Sequence, residues 1–151
     1  MIFFAGSVRG RRQEPYIYAI AKQYCLYIGE TQQHPVARWG QHLTITGSFS
    51  NRLRSVDTDL WESNDEIMFL CFKCVTISSL ASEEHKLVTR FVEHKVHELC
   101  ILNLASLAPI EMIISDTTRT APARCRYDWA GALANEVFIG IKNHLERLSP
   151  K

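Results

Sequence analysis

Two short apolar runs open the ordered pattern of the chain, Tyr16–Ala21 and Cys25–Gly29, with Lys22-Gln23-Tyr24 between them. Runs this short and rich in Tyr and Ile suit a pleated surface, and the polar interval predicts a tight hairpin. After Thr31 the period changes. Pro35 fits the first turn of a helix, where a missing N–H costs nothing. Val36, Trp39 and Leu43 recur at helical spacing and are expected to face the core, with Arg38 and His42 together on a different face. Gly47–Asn51 reads as a loop. Leu53, Val56, Leu60 and Trp61 then predict one amphipathic helix, ended by Ser63-Asn64-Asp65. Glu66–Ile77 is nearly all apolar or β-favouring, which predicts a central, buried strand. Ser78–Ser82 opens a longer helix to about Leu99, whose buried stripe is Leu80, Leu87 and Phe91 with Val88 and Val92 alongside. Ile110–Ile114 reads as a short added strand and Ser115–Arg126 as a loop. Asp128 could cap a closing helix, Trp129–Leu148, in which Trp129, Leu133, Val137, Ile141 and Leu145 repeat every four residues. These elements predict an α+β chain: a small three-stranded antiparallel sheet flanked by helices, with a C-terminal strand, loop and helix.

Composition narrows the class. At 151 residues, 46% hydrophobic and 22% charged, the chain has the make-up of one globular domain with a real core. It divides into an arm (1–14), a core (15–104) and an extension packed on that core (105–151). No apolar run reaches the length of a membrane span. Met1–Gly6 is too short for a secretory signal. Five cysteines, an odd number, argue against a complete disulfide framework and for a reducing, cytoplasmic setting. The formal net charge of +1 hides an uneven distribution, with seven basic and two acidic residues in 1–54 but one basic and seven acidic in 55–84. A basic first third is compatible with phosphate binding.

Several residues carry possible chemistry. Tyr18 and Tyr27 lie nine apart on the two arms of the hairpin, and Arg38 and His42 follow on the next helix. Two phenols, a guanidinium and an imidazole from one local unit can handle protons and phosphate; alone, the tyrosines would read as a cross-strand packing pair. Glu84 falls mid-stripe on the long helix, where a carboxylate is costly unless it is paired. A buried ion pair with an arginine and a metal ligand facing a cleft both answer that cost. Glu83 lies at the stripe's edge and Glu93 nearly opposite. Cys71 and Cys74 form a C-x-x-C, but residues three apart on a strand point to opposite faces. Buried thiols are the simpler reading, and a structural zinc site, completed by His94 and His97, the other.

Tyr16-Ile17-Tyr18, Tyr27-Ile28-Gly29, Arg38 and His42, in that order and spacing, resemble the GIY-YIG endonuclease family over roughly Pro15 to Leu104. Tyr16 departs from the glycine usual at that position. The resemblance implies a metal-dependent endonuclease that hydrolyses phosphodiester bonds in DNA. Tyr18 would orient or deprotonate the water, Tyr27 would hydrogen-bond around it, Arg38 would hold the phosphate and His42 would relay a proton. Glu84, within E-x-x-L-V, would bind a single Mg²⁺ or Mn²⁺, and Asn103, after Leu102, would be the family's closing asparagine. Arg9, Arg11 and Arg12 of the arm and Arg119, Arg124 and Arg126 of the loop are the candidate DNA contacts. The closing helix could complete the core or pair two copies into a homodimer. The alternative is a non-catalytic nucleic-acid-binding or protein-interaction module on the same scaffold.

Overall fold

The first apolar run becomes the strand on which the sheet is built. β1 (Tyr16–Lys22) pairs antiparallel with β2 (Cys25–Thr31) on one side and with β3 (Ile67–Lys73) on the other. In the computed structural model, which describes residues 13–148, the first two strands turn at Gln23-Tyr24, where Gln23 takes a φ of 50°. β4 (Met112–Ile113) adds parallel to β2, so the sheet runs β3-β1-β2-β4. The chain is α+β, but its sheet is four-stranded and mixed rather than three-stranded and antiparallel. Glu66–Ile77 is not its centre. The strand stops at Lys73 and lies at the edge, partly exposed along its length. β1 is central because partners cover it on both edges and both faces, so its residues from Ile17 to Lys22 are buried.

Among the described residues six α-helices accompany the sheet: α1 (Pro35–Leu43), α2 (Ser48–Val56), α3 (Thr58–Glu62), α4 (Val75–Ser78), α5 (Ser82–Leu102) and α6 (Trp129–Leu148). The single helix expected across Leu53–Trp61 is two. Asp57 takes an extended conformation, and its carboxylate accepts the Asp59 N–H, which starts α3 afresh. The expected loop Gly47–Asn51 is mostly the first turn of α2.

Strand alternation sorts the side chains. Ile17, Ala19, Ala21, Leu26 and Ile28 face α5 and α6, where Val88, Val92, Val96, Val137 and Ile141 complete the main core. Tyr18, Ile20, Cys25 and Tyr27 face the other way, against Phe49, Leu53 and Leu60. Burying each large apolar side chain is worth about 1.5–3 kcal/mol, so a one-residue slip, which would exchange the faces, is excluded. That register sends Tyr18 and Tyr27 to one side together. Among the described residues no helix is long and apolar enough to cross a membrane.

Candidate functional site

The tyrosine face of the hairpin is roofed by α1. The expected core face of this helix is largely reversed: Val36 and Leu43 are exposed, while Pro35 and His42 are buried and Trp39 rests on Phe69 with ring centroids 4.8 Å apart. The buried phenol explains the reversal. The Tyr18 hydroxyl is cut off from water and needs hydrogen-bond partners, and only the Arg38–His42 side of α1 supplies them. His42 Nε2 lies 2.5 Å from the Tyr18 oxygen and Arg38 Nε donates to it at 3.4 Å. Tyr18 and Tyr27 stack with centroids 6.4 Å apart, and the His42 ring meets Tyr27 edge-on at 4.9 Å. Gly29 is part of this geometry. It sits opposite Tyr18 in the register, and a Cβ there would lie 2.3 Å from the Tyr18 ring and hydroxyl.

The tautomer of His42 follows from its other nitrogen. The Phe49 backbone N–H donates to Nδ1 at 3.2 Å. That nitrogen is therefore unprotonated, and neutral His42 carries its proton on Nε2, from which it donates to Tyr18. Burial, and then the Arg38 charge, hold His42 down to a pKa of about 4, so it is neutral at ordinary pH. Tyr18 thus receives N–H bonds from both Arg38 and His42, neither of which takes up its own proton. Burial, followed by Tyr27, raises its pKa well above the ordinary phenol range, with Arg38 pulling the other way. Burial also raises Tyr27, opposed by Arg38 and a hydrogen bond with Ser48.

Glu84, the expected metal ligand, does not join this group. Its carboxylate lies 2.5 Å from Arg126 Nη2 and accepts the Tyr127 hydroxyl at 2.9 Å. It packs with Arg124, Cys125 and Leu87 in a cleft that none of the four converging residues lines. The ion-pair answer to its mid-stripe position is the one observed. Glu93 stands nine residues on, half a helical turn round, and its charge acts on Tyr18, Tyr27 and Arg38. β4 covers β2 only at Cys25 and Leu26, so the rest of that edge is open. There Ser115 Oγ takes the Ile28 N–H at 3.0 Å, and the Glu93 carboxylate takes that of Glu30. Burial, and then the neighbouring Glu30 charge, push Glu93 up to about 8, opposed by Arg90 and Arg38. The clue in the sequence was the polar stripe Ser82, His85, Lys86, Thr89, Glu93 and His97, which recurs at helical spacing opposite the apolar one.

The other candidates separate. Asn103 is the exposed C-cap of α5, donating to the Leu99 carbonyl at 2.8 Å. Arg119 is exposed in the loop, and Arg124 and Arg126 lie at the Glu84 cleft. Arg9, Arg11 and Arg12 lie outside the described residues. Cys71 pairs with Tyr18 across the sheet, whereas Cys74 is buried in the core on the opposite face. His94 and His97 bond to Thr117 and the Ser115 carbonyl. Among the described residues no group of three or more His, Cys, Asp or Glu side chains could hold a metal ion. Compared with known proteins, the chain matches no family model, no curated sequence and no solved structure.

Proposed function

We propose that this chain is a metal-assisted endonuclease of the GIY-YIG type, hydrolysing phosphodiester bonds in DNA. The observation that carries the reading is one buried phenol, Tyr18, receiving N–H bonds from Arg38 and His42 within the electrostatic reach of a buried carboxylate, Glu93. A packing tyrosine needs one partner; this one has two donors, neither of which takes up its proton.

In this mechanism Tyr18 first gives up its own proton to solvent, and the resulting phenolate is held by the Nε2–H of His42 and the guanidinium of Arg38, both already in place. That phenolate then takes the proton of the attacking water and returns to the neutral phenol as the water oxygen bonds to phosphorus and the P–O bond to the leaving oxygen breaks. His42 acts as a fixed donor rather than a proton relay, because Phe49 occupies its second nitrogen. Arg38, whose charge is opposed by burial but reinforced by Tyr18, Tyr27 and Glu30, also fits a phosphate oxygen. Tyr27, bonded with Ser48, lines the nucleophile's side.

Glu93 replaces Glu84 as the residue that would hold a divalent cation, with Glu30 beside it. A hydrated Mg²⁺ or Mn²⁺ keeps several waters and needs few protein ligands, and a carboxylate whose pKa is raised by burial and then by a neighbouring carboxylate gains from such an ion. When bound, the ion would supply the positive charge that lowers the phenol's pKa and offsets charge on the phosphoryl group.

Nicking of supercoiled plasmid tests the reading. Wild type with Mg²⁺ is expected to nick, and EDTA or Arg38→Ala to stop it, with a loss of at least about 10²-fold for the variant. Plasmid left intact by wild type under all divalent ions, together with no binding to DNA, would overturn it.

A further inference from the structure

Beside the tyrosine site, between α5 and the segment from Glu30 to Gln41, lies a polar cleft of about 580 Å³. Neither tyrosine lines it, and it shares only Arg38 and Glu30 with the proposed site. Three cations from two elements reach it, Arg38 of α1 and Lys86 and Arg90 of α5, with one acidic side chain, Glu30, among its lining residues. Arg90 Nε lies 3.7 Å from Glu30, so the acid is partly answered from within and the balance stays positive. Glu30 is itself braced by Gln32, whose amide donates to it at 3.3 Å and to Thr89 of α5 at 3.2 Å. The cleft wall is therefore built and held, not a loose surface. A second polar cleft, of about 280 Å³, opens on the other side of Arg38 and Gln41, lined by Thr44, Thr46 and Ser48. The two clefts meet at Arg38.

Resting on the endonuclease reading, we infer that these clefts form the path of the substrate strand. Lys86 and Arg90 hold backbone phosphates on the α5 side of the scissile one. A polyanion needs several cations along one line, and its bonded phosphates are spaced so that an Arg38 contact at the reacting phosphate leaves the neighbours to be met by the next cations in the groove. The glutamines and threonines around them donate to phosphate and sugar without requiring any base. Lys86 is exposed, forms no ion pair among the described residues, and lies on the same stripe of α5 as Glu93, about two helical turns towards the N-terminus. The contacts are to the backbone, so this path carries affinity rather than sequence preference.

The test measures binding of a labelled oligonucleotide, as DNA and as RNA of one sequence, in Ca²⁺ or EDTA across a salt series. Wild type, Lys86→Glu, Lys86→Ala, Arg90→Gln and Glu93→Gln, each as the 151-residue chain, are compared, with thermal midpoints to check folding. Lys86→Glu is the key variant, because an exposed charge reversal leaves the Arg90–Glu30 pair intact. Losing a charge-assisted phosphate contact is expected to weaken binding on the order of tenfold and to reduce the slope of log affinity against log salt by about one for each contact. Glu93→Gln is expected to keep the wild-type slope while losing cleavage. A loss confined to DNA or to RNA names the sugar this path accepts. If wild type binds and cleaves but Lys86→Glu and Lys86→Ala keep both affinity and slope, the strand path is wrong and the endonuclease reading stands. If wild type neither binds nor cleaves, both fall.

Discussion

Glu93 carries the sharpest consequence at the scale of single residues. Its folded pKa is raised to about 8, first by burial and then by Glu30, against roughly 4.3 in an unfolded chain. Between those values the folded protein binds more protons than the unfolded one, so the stability this group contributes is fully present below the lower value and is lost as pH rises through the upper. Glu93→Gln removes the dependence. We expect the variant to gain on wild type by up to about 3–5 kcal/mol between pH 4 and pH 9, read from urea unfolding without divalent ions. Added Mg²⁺ should erase the gain by stabilising the wild-type carboxylate. His42 has the opposite sign. Its pKa is lowered to about 4, so its contribution is lost as pH falls from near 6.5, and the Glu93→Gln comparison cancels it. Four of the six expected catalytic residues come together as the sequence led one to expect, because a hairpin and the helix that follows it fix Tyr18, Tyr27, Arg38 and His42 within one local unit. Glu84 and Asn103 did not, because their places depend on where α5 packs. Mid-stripe position told that Glu84 needed a partner, but not that Arg126 and Tyr127, more than forty residues away in sequence, would be that partner.

At the scale of elements, the hairpin's register explains a small residue that chemistry alone would not. Tyr18 faces Gly29 across the pair, and its ring fills the space a side chain would take. Gly29→Ala should therefore push Tyr18 off His42 and Arg38. Overpacking of this kind costs about 1–3 kcal/mol, and cleavage should fall further than stability, since the phenol itself moves. A variant that cleaves normally would show that the Tyr18 position is not critical. The elements themselves were legible in unequal measure. Both hairpin strands, α1 and α6 are where periodicity puts them, and α6 has the bounds its four-residue repeat gives. What periodicity could not give was orientation. α1 is amphipathic, but the polar side faces in, since a buried phenol can stabilise Arg38 and His42 there. Apolar content equally failed to say that β3 is an edge strand, because Trp39 on one side and α6 on the other cover its side chains without a further strand beyond it.

At the scale of the whole molecule, α5 ties the parts together. One side packs Val88, Val92 and Val96 into the core with α6. The opposite side carries Glu93 to the open edge of β2 and Lys86 and Arg90 to the cleft beside it. Glu84, on the first side, fastens the loop before α6 to the same helix. One helix thus offers two carboxylates with different work, one holding the fold and one in the site. The most direct measurement is therefore plasmid cleavage with Mg²⁺ by Glu93→Ala and Glu84→Ala side by side, each confirmed folded by its thermal midpoint. Glu84→Ala is expected to lose about 1–3 kcal/mol of stability and to keep cleaving below its midpoint, while Glu93→Ala stays folded and loses cleavage by at least about 10²-fold. The reverse, with Glu93→Ala active and folded Glu84→Ala dead, would contradict the account.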